Sequence, residues 1–259
     1  MKEFSEFLNT GPGRDVFVFR FVPEDPCAAL ILAPPLFEER KSAQLLIANL
    51  ARAVAAAIHI EVTAFDWTGT GDSSGQSRDI HLDSLRTDLA ELCAFVKKSG
   101  ERPLLFCGIR LGALLAAEFI PDMTGASGLI LIAPPLSGHE YCKRLTQKAL
   151  LQRKLLQTTP DDNHNFFGFR LADRFLSEIS ALTPETNRLP DTLPVLAVEV
   201  SHRTGLSSFF TNAYSRLTRN SELCPVRSQP FWNATDPRCP NEIITEVLRW
   251  TNAHIPNPR

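Results

Sequence analysis

Apolar positions along the chain follow two rhythms that take turns. "VFVFRFV" (Val16 to Val22) and "CAALILA" (Cys27 to Ala33) have strand composition and flank a Pro-Glu-Asp-Pro turn, so together they predict a hairpin that opens a sheet. From Ser42 to about Ala57 the apolar residues recur at helical spacing, and "IHIEVTAF" (Ile58 to Phe65) is strand-like again. The alternation then repeats: a helix from about Leu82 to Lys98, strand "PLLFC", helix "LGALLAAEF" and strand "GLILIA" (Gly128 to Ala133). After a long interruption it resumes with "PVLAVEV" (Pro194 to Val200), a helix near Leu206 to Arg216, a strand around "ELCPVR" and a helix from about Asn241 to His254. Strands alternating with helices of this length predict βαβ units, hence a mostly parallel, doubly wound sheet with helices on both faces.

The interruption, Ser137 to Pro190, is charged and helix-like without a strand of its own. Segments of that size inserted over a sheet are lids or caps, or else surface excursions, and a helical cap at 137–190 on a single domain spanning 1–259 is the expectation. No internal repeat or low-complexity segment interrupts the pattern.

Composition narrows the function classes. A chain of 259 residues with 44% hydrophobic and 22% charged content has enough apolar material for a sizeable core. Its 27 basic and 29 acidic residues leave a net charge of -2, which supplies no field for nucleic acid or an anionic membrane. The six cysteines are scattered without a CxxC pair, several of them inside apolar runs, and read as reduced thiols. No apolar run approaches the roughly 18 residues of a membrane span, and the N-terminus lacks a signal-peptide core, so a cytoplasmic location is expected, with neither metal nor cofactor.

Three loops should meet at the carboxyl ends of the parallel strands, where open α/β sheets place ligands. They are "APPLFEERKSAQ" (Ala33 to Gln44), "FDWTGTGDSSG" (Phe65 to Gly75) and the turn Gly108-Ile109-Arg110-Leu111-Gly112. The third has the frame of a nucleophile elbow, GxSxG, and the second is similar to the D-x-x-G-x-G-x-S segment of α/β-hydrolases. In this order, each after a strand, they predict an α/β-hydrolase fold.

The catalytic positions do not match. Arg110 occupies the nucleophile's place, and a guanidinium stays protonated at ordinary pH and cannot attack a carbonyl. In the acid's loop, "VEVSHRTG" (Val198 to Gly205) offers Glu199 and His202 but no aspartate, and His202 reads as a solvated loop residue. After the last strand, Trp232 stands near the place of the histidine. Of the oxyanion donors, the amide of Leu111 is available, but Pro34 and Pro35 have no N–H, which leaves Leu36 or Phe37 to substitute. Cys107 reads as packing, and Ser137 has no predictable base. Ser73 and Ser74 read as caps in the turn before the next helix.

An unpaired guanidinium at a helix start is unfavourable by about 0.3–1 kcal/mol, so Arg110 needs an anion. Glu38 and Glu39 are the nearest candidates, with Asp66 as a third. Either the pair closes the crevice structurally, or Arg110 grips a ligand carboxylate or phosphate while the glutamates hold it in the empty site. Both readings stand at this point. The residues expected to line the crevice are Glu38, Glu39, Arg110, Leu111, Asp72, Ser73 and Trp232.

"APPLFEERKSAQ", "FDWTGTGDSSG", "GIRLGALLA" and "QPFW" together resemble the family called exosortase A system-associated hydrolase 2, a branch of the α/β-hydrolase superfamily. The likeness runs from "LNTGPGR" to the closing helix and is weakest between about Ser137 and Pro190. The family pattern has an asparagine-lysine-serine run after its paired glutamates, of which this chain keeps Lys41 and Ser42. The resemblance implies a cytoplasmic protein of Gram-negative bacteria associated with exopolysaccharide production and the exosortase machinery. Three functions are expected from these residues: a non-classical or degenerate hydrolase binding a small anionic or acyl substrate, an inactive binding or scaffold protein, or an esterase or thioesterase with an unrecognised nucleophile.

Overall fold

A computed structural model describes residues 1–123, 125–156, 165–184, 189–233 and 239–255. Its elements in chain order are β1 (Lys2–Gly11), β2 (Arg14–Val22), β3 (Ala28–Ala33), α1 (Phe37–Ser42), α2 (Gln44–Ile58), β4 (Ile60–Phe65), α3 (Leu82–Lys98), β5 (Leu104–Ile109) and α4 (Leu111–Phe119). There follow β6 (Ala126–Ile132), α5 (Gly138–Leu156), β7 (Asn165–Phe166), β8 (Phe169–Arg170), α6 (Asp173–Ser180), β9 (Val195–Ser201), α7 (Ser208–Tyr214), β10 (Ser221–Arg227) and α8 (Asn241–His254). The main sheet runs β1-β2-β4-β3-β5-β6-β9-β10, antiparallel at β1-β2 and β2-β4 and parallel from β4 to β10. This is the α/β-hydrolase fold.

The apolar runs explain the layering. In β3 and β5 every residue is buried, and alternate side chains leave from opposite faces. Ile31, Phe106 and Leu131 join the core that Leu85, Leu89, Leu92 and α4 complete. Leu30, Leu32, Leu105 and Ile130 join the opposite core with Leu46, Leu50, Val54, Val247 and Trp250 of α2 and α8.

Three strand expectations need correction. The expected hairpin of β2 with β3 does not form: β2 pairs with β1 and β4, while β3 lies between β4 and β5. A run buried on both faces needs neighbours on both edges, which a hairpin at the sheet's end does not provide. β1 went unrecognised because most of its residues are exposed, so it carries no buried-face pattern. The segment between β6 and β9 also has a short hairpin, β7-β8, turning at Phe167 and Gly168, both with positive φ.

Neither Ser73 nor Ser74 caps a helix. Ser73 Oγ donates to the Asp66 carbonyl at 2.5 Å and accepts from the Phe17 amide, and Ser74 Oγ accepts from the Asp15 amide. They lace the second loop to β2. The cap of α3 is His81, whose Nδ1 accepts from the Ser84 amide while Ser84 Oγ accepts from the His81 amide.

The elbow joins β5 to α4 through Arg110, whose φ of 55° and ψ of -125° lie outside the ordinary regions. Its flanking glycines are demanded by contact. A Cβ at Gly108 would stand 2.4 Å from Ala113 Cα, and one at Gly112 would stand 2.4 Å from the Pro34 carbonyl and 2.5 Å from that of Ala33. Gly112 thus lets α4 rest directly on the loop leaving β3. Gly112→Ala should lower unfolding stability by about 1–3 kcal/mol in urea denaturation, because backbone rather than a flexible side chain must yield. An unchanged midpoint would show that the two segments do not touch this closely.

Candidate functional site

The β5-α4 turn holds Arg110 at the carboxyl edge of the sheet, and its backbone amide is fixed by the Ile132 carbonyl at 3.0 Å. The Arg110 side chain is 8% exposed and meets a Glu39 side chain that is 13% exposed. Nε and Nη2 donate to Oε2 and Oε1 of Glu39, both at 3.2 Å, and Nη1 donates to the Ala133 carbonyl at 2.7 Å. The guanidinium carbon lies 4.1 Å from the Trp232 ring centroid, a cation–π contact. Three of the five N–H groups are committed by these contacts, and two remain.

Glu39 reaches this position because the first loop, expected to be irregular, folds into α1. Glu38 and Glu39 sit in its first turn and Arg40 and Lys41 in its last, an arrangement the helix dipole favours. Asp66 does not serve Arg110. It pairs with Arg40 at 2.8 Å and accepts from the Asp72 amide.

Glu199 and Ser137, also candidates for chemistry, have structural partners. Glu199 accepts from the Ser207 amide at 2.7 Å and from Ser207 Oγ at 2.6 Å, fastening the loop before α7. His202 is exposed and lines neither cavity. Ser137 Oγ accepts from the Glu140 amide in the first turn of α5. Cys107 is fully buried, and burial pushes its thiol far above the ordinary range, away from the reactive thiolate. A serine and an imidazole do stand together at Ser180 Oγ and His139 Nδ1, 3.3 Å apart, but neither lines the cavities described next.

Two cavities, of about 410 and 250 Å³, share walls at Arg110, Tyr141, Arg144 and Trp232. The larger is bounded by α1 and α5, with Glu38, Glu39 and Lys148 among its polar groups and Leu145, Leu151, Leu155 and Phe167 among its apolar ones. The smaller runs from Pro134 and Pro135 to Phe209 and Phe210. Among the described residues that line either cavity there is no histidine.

Of the residues expected at the site, Glu38, Glu39, Arg110 and Trp232 come together. Leu111 is buried at the start of α4, behind the wall. Asp72 is exposed and Ser73 is buried in the second loop, and neither lines a cavity. Their loop is drawn toward β2 by the two serines instead of toward Arg110. Tyr141, Arg144 and Lys148 were not anticipated. Their three- and four-residue spacing on α5 is visible in the sequence, yet nothing there says which way that helix faces.

Solved structures similar to this chain share its fold. Est1E from Butyrivibrio proteoclasticus, with ferulic acid bound, superposes at a TM-score of 0.69 with 16% identity, covering 96% of this chain and 99% of its own. A highly thermostable carboxyl esterase from Bacillus coagulans, in complex with glycerol, gives 0.70 and 14%, covering 99% and 100%. XC6422 from Xanthomonas campestris, described as an α/β serine hydrolase without lid, gives 0.64 and 15%, covering 100% and 97%. No curated protein matches the chain. Residues 24–166, more than half of the 259, match the family described as serine aminopeptidase, S33, and the chain belongs to that family within the α/β-hydrolase fold.

Proposed function

We propose that this protein is a degenerate hydrolase that has lost the serine, histidine and acid of its fold and binds a small anionic or acyl molecule without forming a covalent intermediate. The observation that carries the reading is the place of Arg110: a permanent cation stands at the elbow, two of its N–H groups uncommitted, on the wall shared by both cavities. A guanidinium attracts and orients an anion but supplies no electron pair to a carbonyl. In the empty site Glu39 is its counter-ion. An entering carboxylate or phosphate takes the remaining donors and shares the charge.

In this reading α5, α6 and the β7-β8 hairpin act as the cap, because α5 supplies one wall of the larger cavity. The motif resemblance supports a cytoplasmic setting linked to exopolysaccharide production and the exosortase system, with a small molecule as the partner.

Two expectations test this. A fluorophosphonate probe should leave the protein unlabelled by mass spectrometry, and aryl esters and acyl thioesters should not turn over. Stoichiometric labelling of any serine, or a saturable ester hydrolysis, overturns the proposal. Glu39→Gln should lower stability by about 3 kcal/mol in urea denaturation, since it leaves a buried guanidinium without its counter-charge. Adding Arg110→Met to that variant should restore much of the loss, whereas additive losses would mean that the two side chains do not interact.

A further inference from the structure

We propose that the crevice receives a chain anion, an apolar chain ending in a carboxylate or phosphate, with its oxygens held between Tyr141 and Arg110 and its chain lying along Leu145, Leu151 and Leu155. This rests on the reading of the crevice as a non-covalent anion site and names the class of ligand.

The head of the ligand is defined by an unmet donor. Tyr141 is 5% exposed, and its hydroxyl has no hydrogen-bond partner among the described residues. Of the buried side-chain polar atoms left in that condition, it alone belongs to a residue lining the cavities, and it lines both. Buried polar groups are nearly always bonded, so an exception on a cavity wall points to a missing partner. Burial first, and the Glu39 carboxylate second, raise the Tyr141 pKa well above its ordinary value, so this phenol keeps its proton throughout physiological pH. A neutral phenol can donate or accept, and beside the Arg110 cation the partner that fits its O–H is an acceptor.

The sign of the charge follows from the larger cavity's walls. They carry Arg110, Arg144 and Lys148 against Glu38 and Glu39. Glu39 is occupied by Arg110, and Arg144 pairs with Glu140. The Lys148 ammonium bonds the neutral Asn233 side chain and has no carboxylate within ion-pair distance among the described residues. Glu140 and Glu38 thus balance Arg144 and Lys148, and what selects an oxyanion over a neutral carbonyl or alcohol is the pair of Arg110 N–H groups left uncommitted beside the unmet phenol.

The chain follows from what surrounds the head. Tyr141, Leu145, Lys148, Leu151 and Leu155 lie three or four residues apart on α5, so one stripe of the helix runs from the buried phenol to the surface. Leu151 is 58% exposed and Leu155 is 74% exposed, although both line the cavity. Apolar side chains left open to water along a polar-based groove fit a chain that covers them and disfavour a compact hydrophilic anion such as phosphate alone.

Isothermal titration of the full chain with decanoate, decyl phosphate, decanol, acetate and inorganic phosphate tests this. Decanoate or decyl phosphate should saturate at one site, the tighter of the two identifying the head group. Decanol, acetate and inorganic phosphate should each bind about ten-fold more weakly or less. Tyr141→Phe should weaken the chain anion about ten-fold while the thermal midpoint holds or rises, because the hydroxyl it removes bonds none of the described residues. Leu155→Glu, at an exposed position that does not endanger folding, should weaken the chain anion and leave acetate unchanged. Decanol binding as tightly as decanoate, or Tyr141→Phe binding as the wild type does, overturns the inference. Binding of acetate or phosphate without any gain from the chain overturns the ligand class but leaves the anion site standing, and silence from all five compounds overturns both.

Discussion

A permanent positive charge at the first turn of a buried helix has to be answered by a negative one, and much of the crevice is arranged around that requirement. Arg110 occupies the sharpest turn of the sheet, in a backbone conformation that costs a non-glycine residue about 1–3 kcal/mol. Contacts at Gly108 and Gly112 hold the turn in shape, and Gly112 rests on the carbonyls of the loop leaving β3. That same loop continues into α1, which brings Glu39 to the guanidinium in bidentate geometry. The close approach of two backbones and the meeting of two charges are consequences of one local packing arrangement. Neither is complete without the other.

The pair is flanked by groups that fix its direction. The Ala133 carbonyl receives Nη1, the Trp232 ring lies against the cation, and Arg40 keeps Asp66 away from it. What is left of Arg110 belongs to the cavities. A side chain this restrained is suited to receive a ligand in one orientation, since little freedom remains to be lost on binding. The chain keeps the fold of the serine aminopeptidase S33 family, and the elbow of that fold carries Arg110.

Much of the fold was legible along the chain because its interior strands are continuous apolar runs. The helices Leu82–Lys98, Leu111–Phe119 and Asn241–His254 coincide with the periodic segments. The missing β1 is an edge strand with little buried surface, and periodicity cannot register a face that does not exist. Pairing order is equally hidden: the turn after β2 looks like a hairpin, and only the two-sided burial of β3 sends it to the centre. At the site, Arg110, Glu38, Glu39 and Trp232 were recoverable because the elbow motif fixes where its neighbours must come. Asp72 and Ser73 were misplaced because a glycine-rich loop can be drawn to either side, and side-chain hydrogen bonds to β2 decide which. Tyr141 depended on the orientation of α5, which tertiary contacts set.

Nitrogen-15 NMR of the arginine Nε–H groups measures the central interaction most directly. The account predicts that Arg110 gives a resonance whose Nε proton exchanges far more slowly than those of exposed arginines, and that replacing Glu39 by glutamine accelerates that exchange. A rapidly exchanging Arg110 Nε–H in the native protein, unaffected by the Glu39 substitution, would contradict it.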